Sequence, residues 1–223
     1  MSEQRQLHSS DGFSFGVYQA SPQGSPKGAV VVIQEIYGVN NHLREVCDGY
    51  AEVGYVAITP QIFDRVERDV KLPYDDSGMT RGISLAFEKL EREDALRDLQ
   101  ATIEDASRFG KVGVVGYCFG GLLSWLSACE LSGIACAVSY YGGGIAGETG
   151  RSPRCPVIMH FGELDAHIPM SDVEKIRAAQ PDVPIHVYDA DHGFNCDHRD
   201  SYNAEASATA LTRTLAFFEK HLA

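Results

Sequence analysis

Short β-branched runs alternate with amphipathic stretches along almost the whole chain. Residues 12–18 alternate apolar and polar positions, which predicts a half-exposed edge strand. Residues 29–34, Ala-Val-Val-Val-Ile-Gln, form a continuous apolar run, the pattern of a strand buried on both faces. Between Asn40 and Val53, the residues Leu43, Val46, Cys47, Tyr50 and Ala51 recur at helical spacing. Gly54 closes that helix, and residues 55–59 predict the next strand. The same reading predicts strands over 111–116, 134–140, 156–161 and 184–188. Helices are predicted over 83–109, 120–130, 172–179 and 204–221. Residues 1–10 are polar and are expected to be loose. Residues 60–80 carry Pro73 and Gly78 and form a long polar excursion, the kind of segment that walls or covers a pocket in a compact domain.

Strands alternating with helices imply a single α/β domain over 1–223, with one mostly parallel central sheet and helices on both faces. No repeat, low-complexity segment or linker interrupts the pattern. In such folds the chemistry sits at the carboxyl ends of the strands.

Charge narrows the range of partners. With 19 Lys and Arg against 31 Asp and Glu, the net charge is −12. An acidic chain without a basic run offers no footprint for nucleic acid, and anionic membranes repel it. No apolar stretch approaches the roughly 20 residues needed to cross a bilayer. The opening Met-Ser-Glu-Gln-Arg-Gln-Leu-His lacks the apolar middle of a signal peptide, so the expected address is the cytoplasm. The expected partner is a small molecule, and the chain is expected to act as a monomer. Of the six cysteines, none forms a C-x-x-C pair. A zinc ribbon or dithiol redox motif is not expected, and neither metal nor cofactor is required.

The strongest local signal is Gly116-Tyr117-Cys118-Phe119-Gly120-Gly121, between a buried strand and a helix. It matches the nucleophile elbow G-x-S-x-G with cysteine in the serine position. Small residues on either side let strand and helix approach, and the thiol is lifted onto the helix N-terminus. The roughly half positive charge at that end favours a thiolate. The Phe119 N–H is the first candidate donor to an oxyanion, and the Ile36 N–H, beyond Glu35 at the mouth of a buried strand, is the second. Glu35 by itself reads equally well as a solvated strand-end charge. Chain order nominates His192, in Asp191-His192-Gly193-Phe194 after the last strand, as the base, with His167 as its competitor. Asp165, just beyond the 156–161 strand, is the expected acid, with Glu163, Asp189 and Asp191 as local rivals. His42 and His198 read as surface residues.

Together, Gln34-Glu35-Ile36-Tyr37-Gly38, the elbow, Gly162-Glu163-Leu164-Asp165 and Asp191-His192-Gly193-Phe194 resemble the dienelactone hydrolases, or carboxymethylenebutenolidases, of the α/β-hydrolase superfamily. The resemblance runs from about residue 11 to the C-terminus. It implies a Cys118–His192–Asp165 triad that hydrolyses a small lactone or ester through a thioester. It also implies a gating role for Glu35, which contacts the resting thiol until substrate displaces it. Arg81 and Tyr37 are then the expected substrate-binding residues. The family binds the carboxylate of dienelactone with two arginines. Arg81 matches one, but the other falls on Cys196, with Arg199 nearby and out of register. The resemblance therefore extends to the catalytic machinery and not to the carboxylate-binding pair of dienelactone. A second reading keeps the fold without hydrolysis and makes Cys118 a redox-sensing thiol, or the pocket a ligand-binding one.

Overall fold

The computed structural model describes residues 1–222. It begins with an antiparallel pair, β1 (Ser2–His8) and β2 (Ser14–Ala20). β3 (Ala29–Ile33), β4 (Val56–Pro60), β5 (Val112–Tyr117), β6 (Ile134–Tyr140), β7 (Val157–Gly162) and β8 (Ile185–Tyr188) follow. They form one sheet in the order β1-β2-β4-β3-β5-β6-β7-β8, parallel from β4 to β8.

Six helices connect them: α1 (Asn41–Glu52), α2 (Asp76–Ile83), α3 (Arg92–Ala106), α4 (Phe119–Glu130), α5 (Met170–Ala179) and α6 (Ala204–Leu222). Every residue of β3 and β5 is buried, as their unbroken apolar runs require when helices cover both faces. α3 and α4 pack together against the central strands. α1 and α6 meet through the edge-to-face rings of Tyr50 and Phe218. Asn40 starts α1 by accepting the Leu43 N–H on its side chain.

Four expectations are corrected. Residues 1–10 are not loose, because β1 pairs with β2 from Ser2↔Ala20 to His8↔Ser14. Ladder hydrogen bonds are made by the backbone, so a polar strand gives little hydrophobic signal. Arg5 adds hydrogen bonds to Gln19 and an ion pair with Asp105. β2 is therefore an inner strand rather than the edge. The helix expected over 83–109 is broken into a π-helical turn at Ser84–Lys89, which continues from α2, and α3. Such turns are rare and occur often at functional sites. Finally, His42 is buried on α1 instead of lying at the surface.

Candidate active site

Cys118 stands between β5 and α4 with φ 56° and ψ −115°, a backbone conformation that costs an L-residue about 1–3 kcal/mol. The glycines around it make the turn possible. A Cβ on Gly116 would lie 1.8 Å from the Gly120 carbonyl oxygen, and one on Gly120 would lie 2.4 Å from that of Ile33. The Cys118 N–H donates to the Tyr140 carbonyl at 3.0 Å, which ties the turn to β6. The thiol projects at the head of α4, whose first N–H groups have no partner within the helix.

His192 Nε2 lies 3.1 Å from Cys118 Sγ. Its Nδ1 lies 2.7 Å from Asp165 Oδ2. The other Asp165 oxygen accepts the backbone N–H groups of His167 at 2.8 Å and Ile168 at 3.1 Å, so the carboxylate is fixed from behind. Burial pushes the Asp165 carboxyl up, but the hydrogen bond and charge of His192 and the two N–H groups outweigh it and hold it below its ordinary value. Burial likewise opposes a charge on His192, yet the neighbouring Cys118 sulfur and Asp165 raise the imidazole to about 10.

The rivals fall to other tasks. Asp191 accepts the backbone N–H of His192, and Glu163 is exposed. His167 packs its ring edge-on against His192, 5.3 Å between centroids, and stands at the cavity wall.

Cys118 and His192 face a cavity of about 450 Å³ whose wall also includes Ile36, Tyr37, Phe119 and Arg199. Met79, Ile83, Phe87 and Leu122 make one side apolar. Phe87 rides on the π-helical turn, so the long excursion and the segment after it do form a pocket wall. Arg81 does not reach this wall. It is half exposed and pairs with Glu67, because its place in the last turn of α2 points it back along the excursion. The cavity arginines are instead Arg199, 3.8 Å from Glu35, and Arg92, 2.7 Å from Glu148.

Glu35 is buried. The Tyr74 hydroxyl donates to its Oε2 at 3.1 Å, and Arg199 faces its Oε1. The expected resting contact between this carboxyl and the thiol is replaced by these two partners, while His192 takes the sulfur. A neighbouring cation and a hydroxyl donor stabilise a buried carboxylate better than a thiol does.

The sequence reading missed Tyr74 and Tyr141. Tyr141 has φ 36°, is fully buried and packs its ring 5.1 Å from that of His192. The Tyr140-Tyr141 step at the carboxyl end of β6, before a glycine run, was the available signal.

The other five cysteines are unpaired, and burial pushes their thiols up. Cys129, Cys136 and Cys196 are pushed to about 12 and Cys155 to about 11, while Cys47 is raised well above its ordinary value.

A strained strand–turn–helix elbow over a mostly parallel sheet, with a histidine in the loop after the last strand, defines the α/β-hydrolase fold. A profile of the dienelactone hydrolase family matches residues 15–222, and the chain belongs to that family. It is an enzyme, a hydrolase. Its sequence is 38% identical to a provisionally named carboxymethylenebutenolidase of Synechocystis over 86% of each chain. It is 32% identical to the carboxymethylenebutenolidase of Pseudomonas putida, over 95% of this chain and 93% of that one. The solved structure of a provisionally named dienelactone hydrolase from Klebsiella pneumoniae superposes with a TM-score of 0.83 at 29% identity, covering 98% of each chain.

Proposed function

We propose that the chain hydrolyses small, neutral lactones or carboxylic esters with Cys118 as nucleophile, His192 as base and acid, and Asp165 as its anchor. The observation that carries this reading is the unbroken relay at the cavity wall, 3.1 Å from sulfur to Nε2 and 2.7 Å from Nδ1 to the carboxylate. The thiolate attacks the carbonyl carbon, and a C–S bond forms as the carbonyl π-electrons move to oxygen. The Ile36 and Phe119 N–H groups, on the same cavity wall, receive that oxyanion. On collapse the C–O bond breaks, and the leaving oxygen takes the proton from His192. Neutral His192 then draws a proton from water, which attacks the thioester, releases the acid and returns the thiolate.

The cavity supports a neutral substrate. Each of its two arginines already faces a carboxylate, Glu35 or Glu148, and its remaining wall is rich in apolar side chains. Tyr37 lies 5.8 Å from Arg199, as ring centroid to guanidinium, and would border the ester. Glu35, held at rest by Tyr74 and Arg199, gates the thiol only once these two partners release its carboxyl. The six unpaired cysteines and the acidic composition support a reducing, cytoplasmic setting. Among the described residues, no helix is long and apolar enough to cross a membrane.

Wild type and Cys118→Ala should be compared on p-nitrophenyl acetate and on a panel of carboxylated and neutral lactones and short acyl esters. The reading requires turnover that Cys118→Ala abolishes, with higher kcat/KM for neutral members. No turnover across the panel, with Cys118 still readily oxidised, would favour the redox-sensing alternative.

A further inference from the structure

Away from the thiol, four side chains with metal-binding chemistry converge from two segments. His42 and Glu45 lie three residues apart on the first turns of α1, which places them on one helix face. Asp197 and His198 come from the turn that follows the His192 loop, where the Cys196 N–H donates to Gly193 and the Arg199 N–H to Cys196. His42 Nδ1 lies 3.2 Å from Asp197 Oδ1, and His198 Nε2 lies 2.7 Å from Glu45 Oε2. One donor atom from each of the four residues falls within 4.8 Å of the others.

We propose that His42, Glu45, Asp197 and His198 bind one divalent transition-metal ion, zinc in the first instance, and so fasten the 192–199 loop to α1. Four tetrahedral ligands at about 2.0–2.2 Å from an ion lie roughly 3.3–3.6 Å apart. Donor atoms now up to 4.8 Å apart must therefore close by about 1 Å, and the 2.7 Å His198–Glu45 pair must open by somewhat less, which the exposed side chains of Glu45, Asp197 and His198 can do by changing rotamer. Two imidazoles with two carboxylates suit zinc over magnesium or calcium, which take oxygen ligands. His42 is buried on a rigid helix, which fixes one ligand in advance. Its neighbours Glu45 and Asp197 border a separate open cavity of about 380 Å³, which gives an ion a way in. Two carboxylates among the four donors, in a chain of net charge −12, also favour a cation.

The site is separate from the thiol but borders its surroundings. The rings of His42 and His198 flank Tyr74 at 6.3 Å and 6.5 Å, and Tyr74 holds Glu35. His198 also precedes Arg199 in the chain. A bound ion therefore stiffens the side of the cavity that carries the buried carboxylate.

The test uses full-length Cys118→Ser protein, which removes the thiol as a competing zinc ligand. Calorimetric titration with zinc chloride should give one ion per chain. The Tm should rise by roughly 5–10 °C at a hundredfold excess over Kd, while magnesium and calcium at the same concentration leave it unchanged. Glu45→Gln and His198→Ala alter side chains that are partly or largely exposed, so each should keep the metal-free Tm and bind zinc at least about tenfold more weakly. Should either variant lose its metal-free Tm, the cobalt spectrum of the Cys118→Ser protein decides. Visible bands of an N/O site without a near-ultraviolet thiolate band support the proposal, and a thiolate band overturns it. Zinc affinity unchanged in both variants, or no binding once Cys118 is serine, also overturns it.

Discussion

A Cβ on Gly193 would stand 2.4 Å from the Arg199 Nη1 atom, so the residue that follows His192 in the chain touches the cavity arginine. Gly193 also has φ +78°, where a side chain is strained. Gly193→Ala should therefore cost about 1–2 kcal/mol of stability. It should also push the guanidinium off Glu35 and lower kcat/KM several-fold. Urea denaturation and steady-state kinetics check both effects. Equal values for variant and wild type would show that the loop relaxes around the methyl group.

The anchoring role of Asp165 gives a second expectation. Burial favours neutral His192, but the Cys118 sulfur and Asp165 outweigh it and carry the imidazole to about 10. The sign follows directly. Folding favours the protonated ring, so the stability it adds is complete below about 6.5 and is lost as pH rises through about 10. Asp165→Asn removes the carboxylate from Nδ1. Its His192 resonances should titrate at lower pH in NMR spectra, and kcat should fall by roughly 10²–10⁴. An unmoved titration would mean that Asp165 does not bear on the ring.

Acid should destabilise the fold through a different histidine. His160 is buried on β7, with Nδ1 2.8 Å from the Tyr188 hydroxyl and Nε2 3.2 Å from the Thr214 hydroxyl. Burial, with smaller contributions from the charges of His186 and Arg213, holds it well below its ordinary value. The unfolded chain takes up a proton that folded His160 refuses. Its stability is whole above about pH 6.5 and falls by up to about 1.4 kcal/mol per pH unit below that, until the folded ring protonates. Urea unfolding between pH 7 and 5 should show this slope, and a shallower one in His160→Gln. Equal slopes would remove His160 from the account.

Glu35 can be tested through the reactivity of the sulfur. If its carboxyl gates the thiol, iodoacetamide should alkylate Glu35→Gln faster than wild type while ester turnover drops. Slower alkylation with unchanged turnover would reduce Glu35 to a buried partner of Tyr74 and Arg199.

What was legible in the sequence was whatever depends on local pattern. The β3 and β5 runs, the glycines of the elbow and the short motifs around Cys118, Asp165 and His192 each lie within a short window. The approach of Gly120 to Ile33 even explains why those glycines had to be there. Where the reading failed, the deciding contact was distant in sequence or made by backbone alone. β1 is polar and is held by a ladder that composition does not announce. Arg81 matched a motif by position, yet the direction of α2 sends it to Glu67, and the arginines that do reach the cavity, Arg92 and Arg199, come from the start of α3 and from a turn 118 positions later. Tyr74 meets Glu35 across 39 residues, a pairing with no local signature.

The shielding of four buried thiols and one half-buried one has a practical corollary. Cys118 alone combines partial exposure, a cavity wall and an imidazole at 3.1 Å, whereas Cys47, Cys129, Cys136, Cys155 and Cys196 are all held protonated far above neutral pH. Toward an electrophile at pH 7 the folded chain behaves as a single-site reagent. A fluorophore or affinity tag can be placed on it stoichiometrically without removing any other cysteine, and a mild peroxide dose will record its history on that one sulfur.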